Sequence, residues 1–339
     1  MRTDTSIDQK IKAAIDLHQD GNLVQAAPIY RSVLQADPIN ADIIHLLGVI
    51  SYQTGNPQKA IDLIDRAINL NPNVANFHSN KGNALKALKK LEHAVASYNR
   101  AIELNSCHAD AYSNRGNALI ELKRLDDAYA SYNKAIELNP RFAAAYSNKG
   151  NVLLELKQFE ESVDSYNIAI KLNPGFAEAH ANRGIALQKL KQLSAALASY
   201  NEAITINPNF ADAYYNLGTA QHELSLFDAA ITSYEKAISL NPEHSRAYYN
   251  KGNAFLEIER FPDAVSSYEK AIALIPQYFE AFSNRGIALH KLNALDAAIA
   301  SFDKAIALKP DYAEAYSNRG IAFKELQRFD ASIAQFNWS

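Results

Sequence analysis

The chain has one cysteine, one methionine and one tryptophan in 339 residues. A single thiol, Cys107, permits no intramolecular disulfide, so the fold does not depend on an oxidising compartment, and a reducing cytoplasm fits it best. Long apolar runs are missing as well. No stretch of about 18 uncharged apolar residues occurs, and the start, MRTDTSIDQKIKAAIDLHQDG, interleaves charged and polar residues where a secretory signal needs a continuous apolar core. We therefore expect neither a membrane span nor secretion. An excess of one charge is also lacking: 34 basic residues stand against 37 acidic ones, for a formal net charge of -3. Such a chain has no electrostatic reason to seek nucleic acid or an anionic membrane.

Glycine is scarce too, and its placement carries the strongest signal. Nine of the 12 glycines are Gly48, Gly82, Gly116, Gly150, Gly184, Gly218, Gly252, Gly286 and Gly320, each 34 residues from the next without an insertion. With that glycine as position 8 of a unit, position 20 is alanine at Ala26, Ala60, Ala94, Ala128, Ala196, Ala230, Ala264 and Ala298, and serine at Ser162 and Ser332. Position 24 is Tyr30, Ile64, Tyr98, Tyr132, Tyr166, Tyr200, Tyr234, Tyr268, Phe302 and Phe336. Position 32 is proline in every complete unit except at Ser106. This length and pattern resemble the tetratricopeptide repeat. The resemblance implies an all-α fold, a right-handed superhelical solenoid of tandem 34-residue helix-turn-helix hairpins.

The physical chemistry of one unit agrees. In AYSNRGNALIELKRLDDAYASYNKAIELNP, apolar residues recur at three- and four-residue spacing through two runs that part near Lys123 and Arg124, which predicts two amphipathic helices, A and B. Glycine at position 8 and alanine at position 20 let the two helices cross closely, and the position-24 aromatic is expected to fill the space that remains between hairpins. Asn-Pro at the end of each unit stops helix B, because proline disfavours helical geometry in the residue before it and has no amide hydrogen. One hairpin cannot bury its apolar face, whereas a stack can. The expectation is a single solenoid over 1–339, with ten repeats starting near 7, 41, 75, 109, 143, 177, 211, 245, 279 and 313. The first repeat carries Ala14 in place of the glycine, as a terminal cap would. The tenth is truncated at Ser339, with no polar capping helix, so the chain is either a fragment of something longer or an end covered by a partner or by self-association.

Helix A positions 2, 5, 6, 9 and 13 lie on the side that a tetratricopeptide superhelix turns toward its groove. Position 6 is asparagine in eight consecutive units: Asn80, Asn114, Asn148, Asn182, Asn216, Asn250, Asn284 and Asn318. Helix propensity does not ask for this residue. An asparagine amide can donate to one peptide carbonyl and accept from one peptide amide, so a column of them suits the backbone of an extended polypeptide. Position 9 adds Asn83, Asn117, Asn151 and Asn253, and position 2 is largely acidic through Asp42, Asp110, Glu178, Asp212, Glu280 and Glu314. Equally, repeats share residues by descent, and an asparagine can be kept because it bonds to a neighbouring helix. The column resembles the asparagine ladder in the repeat arm of O-linked N-acetylglucosamine transferases, and the stretch from Ile7 onward is similar to bacterial proteins that carry such repeats ahead of a glycosyltransferase domain. That resemblance implies client holding by these twelve asparagines. The catalytic domain is missing from the chain, so no enzymatic activity is expected of it. The lysine and arginine pair by which chaperone adaptors of the family clamp a carboxylate occurs in no unit.

Other signals point to no chemistry. His18, His222 and His290 fall at position 12 of separate units, without the i, i+4 spacing of a helical zinc site, so no metal or cofactor is expected. The 34-residue glycine spacing makes no phosphate-cradling loop, and repeated serines such as Ser113, Ser147 and Ser283 have no elbow motif or poised histidine. A basic column at position 7, Lys81, Arg115, Lys149, Arg183, Lys251, Arg285 and Arg319, reads as snorkelled stems over the hairpin seam rather than as a nucleic-acid surface.

Overall fold

The computed structural model describes residues 5–336, with side chains described for residues 7–327. Among the described residues there are nineteen helices and no strand. They form two compact units, 1–174 and 175–339. In the first, helices A and B alternate as α1 (Thr5–Gln19) and α2 (Leu23–Ala36), α3 (Ala41–Gln53) and α4 (Pro57–Leu70), α5 (Ala75–Ala87) and α6 (Leu91–Leu104), α7 (Ala109–Glu121) and α8 (Leu125–Leu138), and α9 (Ala143–Glu155) and α10 (Phe159–Leu172). In the second they are α11 (Ala177–Lys189) and α12 (Leu193–Ile206), α13 (Ala211–Glu223) and α14 (Phe227–Leu240), α15 (Ser245–Glu257) and α16 (Phe261–Leu274), α17 (Phe279–Lys291) and α18 (Leu295–Leu308), and finally α19 (Ala313–Phe336).

The position-8 glycine and the position-24 aromatic meet inside one hairpin. A Cβ built on Gly82 would stand 2.6 Å from Tyr98 Cε1, and one on Gly184 would stand 2.5 Å from Tyr200 Cε1. The ring therefore lies flat against the glycine backbone of its own unit. This corrects the expectation that it fills the gap between hairpins. Tyr98, Tyr132, Tyr166, Tyr200 and Tyr268 are all fully buried there, beside Ala94, Ala128, Ala196 and Ala264 at position 20. Ser162 holds the alanine position in the fifth hairpin by donating its hydroxyl to the Gly150 carbonyl at 2.8 Å.

Helix B ends where Asn-Pro was expected to stop it. Asn139, Asn207 and Asn241 each take extended or near-extended backbone after the last helical residue, and Asn105, which precedes Ser106 and not a proline, does the same. The side-chain oxygen of each accepts the amide two residues on, at 3.0–3.1 Å, an Asx turn that starts the next hairpin. Between helices A and B the turn rests on position 15 in the left-handed region. Gly21 and Gly55 supply it in the first two hairpins, whereas Lys89, Lys123, Lys157, Lys191, Ser225, Glu259 and Asn293 adopt φ of 58–62° in the others.

The tenth repeat differs. α19 runs on through the position where every earlier unit turns, and a Cβ on Gly320 would meet nothing within 4 Å. A left-handed turn at a residue with a side chain costs about 1–2 kcal/mol. The hairpins that turn at a non-glycine residue offset this by packing helix B against their own helix A. Among the described residues no helix follows α19 to do so. The Ser332 and Phe336 side chains, assigned to positions 20 and 24 of this unit, and the terminal 337–339 lie outside the described residues.

Candidate functional site

Position 24 sets the geometry of the candidate site from beneath. Burial pushes the hydroxyls of Tyr98, Tyr132, Tyr166 and Tyr268 well above their ordinary pKa, so they remain protonated donors. Each needs an acceptor, and position 9 of helix A, on the adjoining face of the same hairpin, provides it. Tyr98 donates to Asn83 Oδ1 at 2.8 Å, Tyr132 to Asn117 at 2.6 Å, Tyr166 to Asn151 at 2.6 Å and Tyr268 to Asn253 at 2.8 Å. In the sixth hairpin, where position 9 is Ile185, Tyr200 turns to Gln188 Oε1 at 2.9 Å. The position-9 asparagines thus serve a buried hydroxyl first.

The position-6 asparagines are half-buried, and Asn80, Asn148, Asn250 and Asn284 reach back to the preceding hairpin. Asn148 Nδ2 donates to Asn117 Oδ1 at 3.0 Å, and Asn284 Nδ2 donates to Asn253 Oδ1 at 2.9 Å and to the Tyr249 hydroxyl at 3.1 Å. Asn117 and Asn253 oxygens therefore accept twice, which uses both lone pairs. Position 5 of the preceding hairpin also accepts, including where position 9 is not asparagine: Asn250 donates to the Tyr215 hydroxyl at 3.2 Å, with Thr219 at position 9, and Asn80 to His45 Nε2 at 2.9 Å, with Val49 there. The sequence reading missed this use of position 5. Its signal was available, since His45 and Tyr215 stand one repeat before an asparagine whose usual acceptor is absent.

Asn114, Asn216 and Asn318 make no such bond among the described residues. Before Asn216 the acceptor positions are Ala181 and Ile185, and before Asn318 they are Ser283 and Ile287. Asn182 holds the same position on α11. Within each unit the column thus shares one helix-A face with a fringe of exposed carboxylates, Asp42 and Asp110 in the first and Glu178, Asp212 and Glu314 in the second. In the second unit aromatic rings stand beside it, Tyr215 against His244 with centroids 4.6 Å apart and Tyr249 against Tyr278 at 4.8 Å.

The basic column at position 7 is committed to the hairpin seams. Lys81 pairs with Asp65 at 2.6 Å and Lys251 with Glu235 at 2.8 Å, in each case a position-25 carboxylate of the preceding hairpin. Arg115 donates to Ser131 at 3.1 Å and to Asn99 at 2.9 Å while its guanidinium lies 5.2 Å from the Tyr112 ring centroid. Among the described residues no three His, Cys, Asp or Glu side chains gather as a metal site requires, and no helix is long and apolar enough to cross a membrane.

Sequence models described as the tetratricopeptide repeat match residues 17–87, 109–142, 131–164 and 215–279, and one described as the TPR repeat matches 82–122, 150–191, 189–225 and 288–327. The UDP-N-acetylglucosamine--peptide N-acetylglucosaminyltransferase of Caenorhabditis elegans is 37% identical over 76 residues, which are 22% of this chain and 7% of that relative. Among solved structures, the Cut9–Hcn1 hetero-tetramer of the APC/C is similar with a TM-score of 0.57 at 13% identity, covering 88% of this chain and 58% of that one. PilF of Pseudomonas aeruginosa gives 0.54 at 21% identity, with 61% and 93% covered. At these identities the likeness to the two structures is one of fold.

Proposed function

The chain belongs to the tetratricopeptide-repeat family, and from that premise we propose that it is a cytoplasmic protein-interaction scaffold, without catalysis of its own, that binds extended polypeptide segments along the asparagine-bearing face of its A helices. The observation that carries this reading is the pair Asn216 and Asn318. Neighbour bonding accounts for Asn80, Asn148, Asn250 and Asn284, but these two keep the same residue where the preceding hairpin presents no bonded acceptor. In Asn148, Asn250 and Asn284 the donor points inward and the amide oxygen stays available, so a client's main-chain N–H groups are the natural partners. Each neutral bond nets only about 0.5–1.5 kcal/mol, and ordering the client offsets part of it. Individual segments therefore bind modestly, and the acidic fringe favours polar or basic ones.

The test uses Asn114→Ala, Asn216→Ala and Asn318→Ala together, because those side chains make no hydrogen bond among the described residues. A display library of unstructured peptides is panned on the wild type and on the triple variant. Enrichment on the wild type that disappears on a variant of unchanged helicity supports the ladder. Equal enrichment on both removes it.

The short match to the Caenorhabditis elegans transferase favours a second reading, a substrate-holding arm whose catalytic part lies on further sequence or on another chain. The intact mass of the native protein in its source cells separates the two: a value near 37.5 kDa favours the free-standing scaffold, and a much larger one the arm.

A further inference from the structure

Beside Asn80, the first asparagine of the column, the helix-A side of the first unit opens into a cavity of about 440 Å³. Its floor is apolar, from Ile11 and Ile15 on α1, Leu46 on α3 and Phe77 on α5. Asp42 and Asn76, both exposed, stand on its rim, and Asp42 is the one charged group in its wall among the described residues. The volume falls within the roughly 300–1,000 Å³ of ligand-binding clefts. The position-8 glycines from Gly48 to Gly286, by contrast, leave no room even for a Cβ.

One polar side chain in the wall is deeply buried. His45 is 7% exposed and stacks on Phe77 with centroids 4.5 Å apart. Its protonation pattern follows from the chain of bonds behind it. The Tyr98 hydroxyl donates to Asn83 Oδ1 at 2.8 Å, Asn83 Nδ2 donates to Asn80 Oδ1 at 3.4 Å, and Asn80 Nδ2 meets His45 Nε2 at 2.9 Å. An amide nitrogen only donates, so Nε2 is the acceptor and the neutral ring carries its hydrogen on Nδ1. That Nδ1–H has no acceptor among the described residues, and it is not sealed from solvent. A fixed donor, an apolar floor and a single carboxylate thus share one cavity that continues the asparagine column.

We propose that this cavity is the anchor site of the scaffold: it takes a bulky apolar side chain of an extended client segment, His45 Nδ1–H donates to the main-chain carbonyl of that residue, and Asp42 receives a cationic side chain beside it. This rests on the client-binding reading above and adds selectivity to it, since the asparagines address only the backbone. Filling the floor with a phenyl group in place of a methyl is worth about tenfold or more in affinity.

The probes are fluorescein-labelled Gly/Ser peptides carrying one Phe next to one Lys, and the same peptides with Ala for Phe or Glu for Lys, read by fluorescence anisotropy. The wild type is expected to bind the Phe–Lys peptide about tenfold tighter than the Ala peptide and tighter than the Glu peptide. Leu46→Asp should abolish the Phe preference. Asn76→Trp, which fills the cavity from its exposed rim without disturbing the core, should do the same and guards against a folding defect in the first variant. The triple asparagine variant should lower affinity for all peptides and keep the Phe preference, so failure of the ladder and failure of the anchor are distinguishable. Equal binding of Phe and Ala peptides, absence of binding by either, or a preference that survives both cavity variants would overturn the proposal. A wild-type dimer that Asn76→Trp dissociates, with no Phe preference, would assign the cavity to a second copy of the chain instead.

Discussion

The hydroxyl of Tyr132 donates to the side-chain oxygen of Asn117 at 2.6 Å, and that oxygen also accepts from Asn148 of the next hairpin at 3.0 Å. One asparagine thereby joins the buried ring of its own unit to the half-buried column of the neighbour. Tyr132→Phe leaves the oxygen one donor and should cost about 0.5–1.5 kcal/mol, whereas Asn117→Ala strands a buried hydroxyl and should cost about 1–3 kcal/mol. Urea denaturation measures both. A cost for Tyr132→Phe equal to or above that of Asn117→Ala would show that the hydroxyl has another partner.

Gly184 and Gly320 occupy the same repeat position in opposite surroundings. A Cβ on Gly184 would meet Tyr200 at 2.5 Å, and one on Gly320 would meet nothing. Gly184→Ala should destabilise by about 1–3 kcal/mol through overpacking. Gly320→Ala should be neutral or stabilising by up to about 1 kcal/mol, because alanine is the better helix former. Thermal unfolding of the two variants checks the contrast. Matching shifts would sink the close-approach account.

Ser225 sits at φ 59° between α13 and α14. Glycine adopts this region without the side-chain clash, so Ser225→Gly should stabilise by about 0.5–1 kcal/mol after allowing for glycine's larger loss of freedom on folding. Ser225 is a cleaner probe than Lys89 or Lys191, whose exposed ammonium groups pair with Glu121 at 2.8 Å and Glu223 at 3.1 Å. A lower denaturation midpoint for the variant would mean that the serine side chain is needed at the turn.

Burial, assisted by the nearby His18, lowers His45 to about 4 from 6.5. Between those values the unfolded chain binds a proton that the folded chain does not. Stability is therefore complete above about pH 6.5 and falls as pH drops toward about 4, by at most roughly 1.4 kcal/mol per pH unit. Urea midpoints at about pH 7 and about pH 5 should diverge less for His45→Gln than for the wild type. Identical slopes would remove His45 from the acid response.

Much of this was legible in the linear pattern. The glycine, alanine, aromatic and proline columns named the hairpin and its stop, because each meets a local steric demand that recurs every 34 residues. The seven non-glycine residues with φ of 58–62° between helices were not legible. Nothing in a lysine or a glutamate announces a left-handed backbone, which is imposed by the packing of the helices on either side. Nor was the ring's lodging within its own hairpin, since the spacing of Gly82 and Tyr98 fits either arrangement until the two helices are placed.

The sequence by itself determined that this protein is built of helical hairpins and which residues form the recurring column, since periodicity dictates which side chains share a helix face. Tertiary structure alone decided how each asparagine is used. A side-chain amide has a donor and an acceptor, and whether either is free depends on what the preceding hairpin brings within hydrogen-bond reach, as Asn117 does for Asn148 and as none of the described residues does for Asn216.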